Sequence, residues 1–142
     1  MKLKKILLAV LVISTLAVAV WTYWEQDFSL MAALPDVYWQ KVEISLGEPG
    51  AGETMLVCTD DVDDVLTALE QAQVNRGPEF RSMSQPYFKL VLYKGEAYPT
   101  YITVVENGQI SVAVELEFDH YQYYEDGGTL YAALMEIASD MS

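Results

Sequence analysis

An apolar run near the N-terminus constrains this chain more than any other feature. Met1-Lys2-Leu3-Lys4-Lys5 is basic. Ile6 to Val20 carries no charge and is interrupted only by Ser14 and Thr15. Trp21, Tyr23 and Trp24 follow, and Glu25 closes the run. A basic start leading into an apolar stretch is the pattern of a secretory signal or a signal anchor. Ile6 to Trp24 is 19 residues, which at ~1.5 Å per helical residue nearly crosses a hydrocarbon layer about 30 Å thick. The aromatic residues at its end match an interfacial belt. Lysines precede the run and none follows it closely, so the positive-inside rule predicts a single-pass cell-membrane protein. Its N-terminus is expected inside and its C-terminal domain outside. Ala17-Val18-Ala19 offers a competing A-x-A cleavage pattern, which would give a secreted protein. The apolar run continues through it with no polar segment, so the membrane helix at residues 6–24 is the favoured expectation. No Cys lies nearby to carry a lipid.

The chain has 142 residues, enough for one domain and too few for two independent cores. The expected division is a signal anchor or signal peptide at 1–24, a stalk at 25–36 ending near Pro35, and an extracytoplasmic α+β domain at 37–142. The net charge is −13, and removing the first 24 residues leaves 5 basic and 21 acidic side chains, a net −16. Such a domain is a poor partner for nucleic acid, whose binding depends on neutralised phosphates. It is expected to be repelled by anionic lipid headgroups and wall polymers and could attract basic partners or cations. An acidic surface is explained more simply as keeping such a domain soluble and monomeric. One Cys and one His exclude an intrachain disulfide framework and a Cys/His zinc site.

Patterning along the domain predicts β-β-α-β-β-β-α. Val42, Ile44 and Leu46 alternate with polar residues in a strand over 37–46, and the glycine-rich loop 47–52 leads to a short apolar strand over 54–59. Val62, Val65, Leu66 and Leu69 have the spacing of one helical face over 60–74, with Thr59 or Asp60 as the cap and Asn75-Arg76-Gly77-Pro78 as the stop. Strands are predicted at 87–93, 97–105 and 109–118, the last two joined at Glu106-Asn107-Gly108 by a type I′ turn. In the third of these, Ile110, Val112, Val114, Leu116 and Phe118 alternate with Ser111, Ala113, Glu115 and Glu117, which predicts one buried and one wet face. A tyrosine-dense loop over 119–128 leads to a final helix, with Thr129 as its expected cap, running to about Ser139. Short connections favour antiparallel pairing, so the simplest architecture is a sheet of about five strands with both helices on one face.

Candidate sites follow from residue type. Tyr121, Tyr123 and Tyr124, with Tyr98 and Tyr101, form the strongest candidate recognition surface, because tyrosine is enriched at interfaces. His120 lies beside Asp119, but a base needs a nucleophile or substrate near it. Glu115 and Glu117 share one strand face, where they suit a cation, a basic ligand or plain solvation. The carboxylates Asp60, Asp61, Asp63 and Asp64 are best explained as the favoured first turn of a helix, since no calcium-loop pattern is present. Cys58, within a short apolar strand, is expected in the core. No phosphate-binding glycine loop, nucleophile elbow, CxxC or HExxH occurs, so no catalytic residue, cofactor or metal is assigned.

Met1 to Trp24, the strand-turn-strand around Glu106-Asn107-Gly108, and the tyrosine-rich segment running into a short last helix together resemble small signal-anchored or secreted envelope proteins of Gram-positive bacteria. Those families have no assigned function, so the resemblance implies a location and no catalytic residues. The reading is a membrane-anchored extracytoplasmic binding or regulatory module for an envelope protein or peptide, leaning away from an enzyme. The rival readings are a small envelope hydrolase built around His120 and a cation-responsive secreted domain.

Overall fold

The computed structural model describes residues 2–25, 27–35, 37–79, 84–95, 98–114 and 121–141. Helix α1 (Lys2–Glu25) is long and apolar enough to cross a membrane, and Lys2–Trp21 buries nothing against the rest of the chain. The remainder is α+β. Strands β1 (Phe28–Ser29), β2 (Lys41–Glu48), β3 (Gly52–Thr59), β4 (Gln73–Arg76), β5 (Tyr87–Tyr93), β6 (Thr100–Val105), β7 (Gln109–Ala113) and β8 (Tyr121–Glu125) form one antiparallel sheet. Its order is β1-β4-β8-β7-β6-β5-β2-β3. Helices α2 (Asp63–Gln71) and α3 (Thr129–Met141) cover one face.

The alternation seen in the sequence builds the core. Val42 and Ile44 of β2, Phe88, Leu90 and Leu92 of β5, Ile102 and Val104 of β6, and Ile110 and Val112 of β7 share a face and are buried. Val65 and Leu69 of α2 and Leu130 and Leu134 of α3 seal them. The Phe88 and Tyr131 rings meet at 4.9 Å between centroids.

The sheet has eight strands where about five were expected, and the extra three have physical reasons. The segment read as a stalk includes β1 and a 3-10 turn, Leu30–Ala33, whose Leu30 is fully buried. A true spacer would not put Leu30 and Leu34 in the core. The helix expected to reach Val74 ends at Gln71, because Ala72 turns extended and Val74 pairs with Phe28 across a β1–β4 ladder. Tyr121–Glu125, read as loop, pairs with β7 over its whole length and with β4 at one end. Two-residue and four-residue strands at a sheet margin carry too little alternation to be recognised from pattern. Crossing from β3 to β4, α2 carries the chain from one end of the sheet to the other.

Two caps also differ from expectation. The Thr59 hydroxyl accepts from the Asp61 N–H at 3.0 Å, outside α2, whose N-cap position is Val62 with no side-chain bond. At α3 the capping work falls to Asp126, not Thr129. Its carboxylate accepts from the Gly128 N–H at 2.7 Å and the Leu130 N–H at 2.9 Å.

The Asn107-Gly108 hairpin is present, but its connection spans three residues. Val104 pairs with Ile110, and the Gly108 N–H donates to the Val105 carbonyl at 2.9 Å. Gly108 has φ +98°, and a Cβ there would lie 2.2 Å from the Asp126 carbonyl oxygen. Its own carbonyl accepts from the Asp126 N–H at 2.9 Å, so this turn docks directly on the β8–α3 connection. Gly50 has φ +80° but open space around it. Gly50→Ala is therefore expected to cost about 1 kcal/mol from backbone strain alone, and Gly108→Ala about 2–4 kcal/mol from strain plus collision. Urea unfolding of the two variants in detergent micelles checks the difference; equal losses would contradict the docking of this turn.

Candidate functional site

Among the described residues, neither α2 nor α3 covers the opposite face of the sheet. Residue parity decides who stands on it. In β5 the residues between Phe88, Leu90 and Leu92 are Tyr87, Lys89, Val91 and Tyr93. Cross-strand register then places Glu43 beside Val91, Tyr101 beside Val91 and Ala113, and Tyr121 beside Ala113. A parallel row runs Met55, Ser45, Lys89, Thr103, Ser111, Tyr123.

This face is not as wet as the sequence pattern implies. Ser111 is 6% exposed and Ala113 1% exposed, although both point away from the helices. Small residues here sit between Tyr101 and Thr103 on one side and Tyr121 and Tyr123 on the other. Tyr101, Tyr121 and Tyr123 are thus the large cross-strand neighbours of these small residues. The Tyr121 and Tyr123 rings lie 6.4 Å apart at 33°, and Tyr121 is exposed.

Toward β2 and β3 the face is polar and tied down. The Tyr87 hydroxyl donates to Glu53 at 2.9 Å, reaching over Gly47, where any Cβ would strike the ring. The Tyr93 hydroxyl donates to Glu43 at 3.1 Å. Lys41 approaches Glu43 at 3.5 Å and stands over the Tyr93 ring at 5.2 Å. Lys89 pairs with Glu53 at 3.8 Å and lies 5.8 Å from the Tyr101 ring centre. Such half-exposed ion pairs contribute at most about 1 kcal/mol each. Their consequence is placement: both lysines on this face are drawn onto tyrosine rings.

The sequence-derived candidates separate. Tyr121 and Tyr123 stand on the open face, with Tyr101 near them. Tyr124 does not: as the intervening residue of β8 it points to the core and meets Phe28 edge-on at 5.6 Å. Tyr98 is exposed just before β6. His120, Glu115 and Glu117 lie outside the described residues. Cys58 is exposed, contrary to expectation. The ladder between β2 and β3 shifts between Ile44 and Ser45, so that Met55 pairs with Ser45 while Val57 pairs with Ile44. That bulge at Leu56 turns Cys58 outward beside Glu43, where simple alternation would have placed it inward. Asp60, Asp61, Asp63 and Asp64 are all exposed around the start of α2. Among the described residues, no group of three or more His, Cys, Asp or Glu is arranged to hold a metal ion.

The sequence reading missed Tyr87, Tyr93, Glu43 and Glu53. The signal was available: they occupy the positions complementary to the apolar alternation of β2 and β5, and next to the hairpin. A second depression, of about 330 Å³, lies between α2 and α3; it is lined by acidic Asp64, Glu136 and Asp140 and apolar Ala68, Ala133 and Ile137, among others.

No family model, no curated protein and no solved structure matches this chain. The site therefore has to be interpreted from its own chemistry.

Burial raises the Tyr87 and Tyr93 hydroxyls above the ordinary tyrosine value of 10.0, and the Glu53 and Glu43 carboxylates push each further. Burial likewise raises Tyr124 and Tyr131. A phenol with a raised folded pKa binds its proton more tightly folded than unfolded. Its stabilisation is complete below pH 10 and is lost as pH rises through the folded value. The melting temperature is expected to fall on going above pH 10. In an ultraviolet titration, Glu43→Gln should lower the Tyr93 midpoint but leave it elevated, because burial is the larger cause. An unchanged midpoint would contradict the assigned Tyr93–Glu43 hydrogen bond.

Proposed function

We propose that this chain is a membrane-anchored extracytoplasmic binding module that contacts an envelope protein or peptide through its open sheet face. The observation that carries this reading is the tyrosine-walled surface formed by Tyr101, Tyr121 and Tyr123 over a floor of Val91, Thr103, Ser111 and Ala113. Tyrosine presents large, stiff, amphipathic area at little entropic cost, which is why it recurs at interfaces. Sheet strands hold these rings in fixed register, as a recognition surface requires. The apolar α1 supports a membrane location, and the resemblance to signal-anchored Gram-positive envelope proteins belongs to the same reading. The absence of a catalytic motif in the sequence leans the proposal away from an enzyme.

Substitution separates surface from core. Tyr121→Ala and Tyr123→Ala are expected to abolish cross-linking to the native partner in intact membranes while changing stability by less than about 1 kcal/mol. Tyr124→Ala should instead destabilise by about 3–5 kcal/mol, as for other buried aromatic truncations. Partner cross-linking that survives the double Tyr121→Ala, Tyr123→Ala change would remove this face from the proposal.

Location is tested by intact mass, taken separately from membrane and culture-medium fractions. The expected result is a membrane-fraction species that retains residues 1–24. A species in the medium beginning at Val20 or nearby would replace the anchor with a cleaved signal, and a diffusible ligand would then become the better partner.

A further inference from the structure

Strand β3 ends the sheet, and it is a full-length edge. Gly52–Thr59 pairs with β2 alone, and among the described residues none of its backbone groups bonds to any other element. At ~3.4 Å per residue it presents about 27 Å of unpaired N–H and C=O groups. The opposite edge, β1, has only two residues and runs straight into a 3-10 turn.

Long edges are normally blunted by lysine, proline, inward charges or cover. Glu-Thr-Met-Leu-Val-Cys-Thr, the run 53–59, contains neither lysine nor proline. Met55 is 56% exposed on the open face, and Leu56 and Cys58 are exposed beside it. Among the described residues the edge is blunted by Glu53 and by the bulge at Leu56, which leave extended runs at 52–55 and 57–59.

The occupant follows from backbone chemistry and charge. Only another extended backbone matches a row of alternating donors and acceptors. Both ends of this edge are acidic: exposed Glu48 and Glu53 flank the hairpin, and exposed Asp60, Asp61, Asp63 and Asp64 follow the strand. The nearest lysines, Lys41 and Lys89, stand on strands further in and approach Glu43 and Glu53. A second copy of the chain would bring acid against acid. We propose that the β3 edge captures an extended peptide segment, apolar at its centre and basic at its ends, by adding it as a ninth strand. This rests on the binding-module reading but uses a different surface from the tyrosine-walled face.

The test uses the full chain in detergent micelles and two synthetic ten-residue peptides. Both alternate Val and Thr through the centre; one has two Lys at each end and the other two Glu. The Lys peptide is expected to slow amide hydrogen exchange within 52–59 by about tenfold or more at saturation, with binding that weakens as salt is raised. The Glu peptide should leave exchange unchanged. Met55→Lys, an edge charge that leaves the core intact, should weaken Lys-peptide binding by about tenfold with little change in melting temperature. Asp60→Lys with Asp61→Lys should weaken it several-fold without touching the strand. The Tyr121→Ala, Tyr123→Ala protein should bind this peptide normally, which keeps failure of the edge distinct from failure of the tyrosine face. Absence of protection, equal protection by both peptides, or protection at 121–125 instead would overturn the proposal. So would β3 protection that grows with protein concentration without peptide, since that would make the occupant a second copy.

Discussion

Burial of one face of the four central strands is the constraint on which everything else depends. β2, β5, β6 and β7 each alternate strictly enough to give one apolar side, and that side must be covered. Two helices cover it, and both are amphipathic in the required sense: Val65 and Leu69 on one, Leu130 and Leu134 on the other. At ~1.5–3 kcal/mol per buried large apolar side chain, this one layer supplies most of the favourable free energy available to a domain of this size. Because α2 must also span from β3 to β4, it widens the sheet. The short strands β4, β8 and β1 are consequences of where that helix lands.

Placing both helices on one side leaves the other side to manage water without them. It does so with tyrosine. The Tyr87 ring lies over Gly47, covering backbone there while its hydroxyl reaches Glu53. Where the hydroxyl meets a carboxylate, as at Tyr87–Glu53 and Tyr93–Glu43, the ring is pinned. At the other end of the face, Tyr121 is exposed. The face therefore has a fixed half near β2 and β3 and a presented half near β8.

Legibility in the sequence tracks element length and the strictness of the period. Strand β5 was readable at both ends because Phe88, Leu90 and Leu92 mark one face and the run is bracketed by Pro86 and Gly95. β1 and β4 were not readable, because two or four residues cannot establish a period; Val74 looks helical in sequence until its partner Phe28 is known. β8 was hidden by composition: Tyr121, Tyr123 and Tyr124 read as an aromatic loop, and only register shows that Tyr124 belongs to the core. The bulge in β3 had no local signature, yet it reverses which side Cys58 faces. The tyrosine surface was thus half legible. Its members near β8 were named from composition, while Tyr87 and Tyr93 needed the complementary parity of β5.

Helix α1 poses a separate physical problem, which its sequence already states. Twelve large apolar side chains between Leu3 and Trp21 stand exposed, and none finds cover in the folded domain. At ~1.5–3 kcal/mol for each such side chain, leaving them in water would cost more than the whole net stability of a small domain. A membrane anchor or a signal sequence would present such a surface. The choice matters for the rest of the molecule. An anchored chain holds its open face and its β3 edge at high local concentration beside the membrane, so that weak contacts with a neighbour suffice. A released chain has to bind by affinity alone, and an edge flanked by carboxylates would then depend much more steeply on the charge of what it meets.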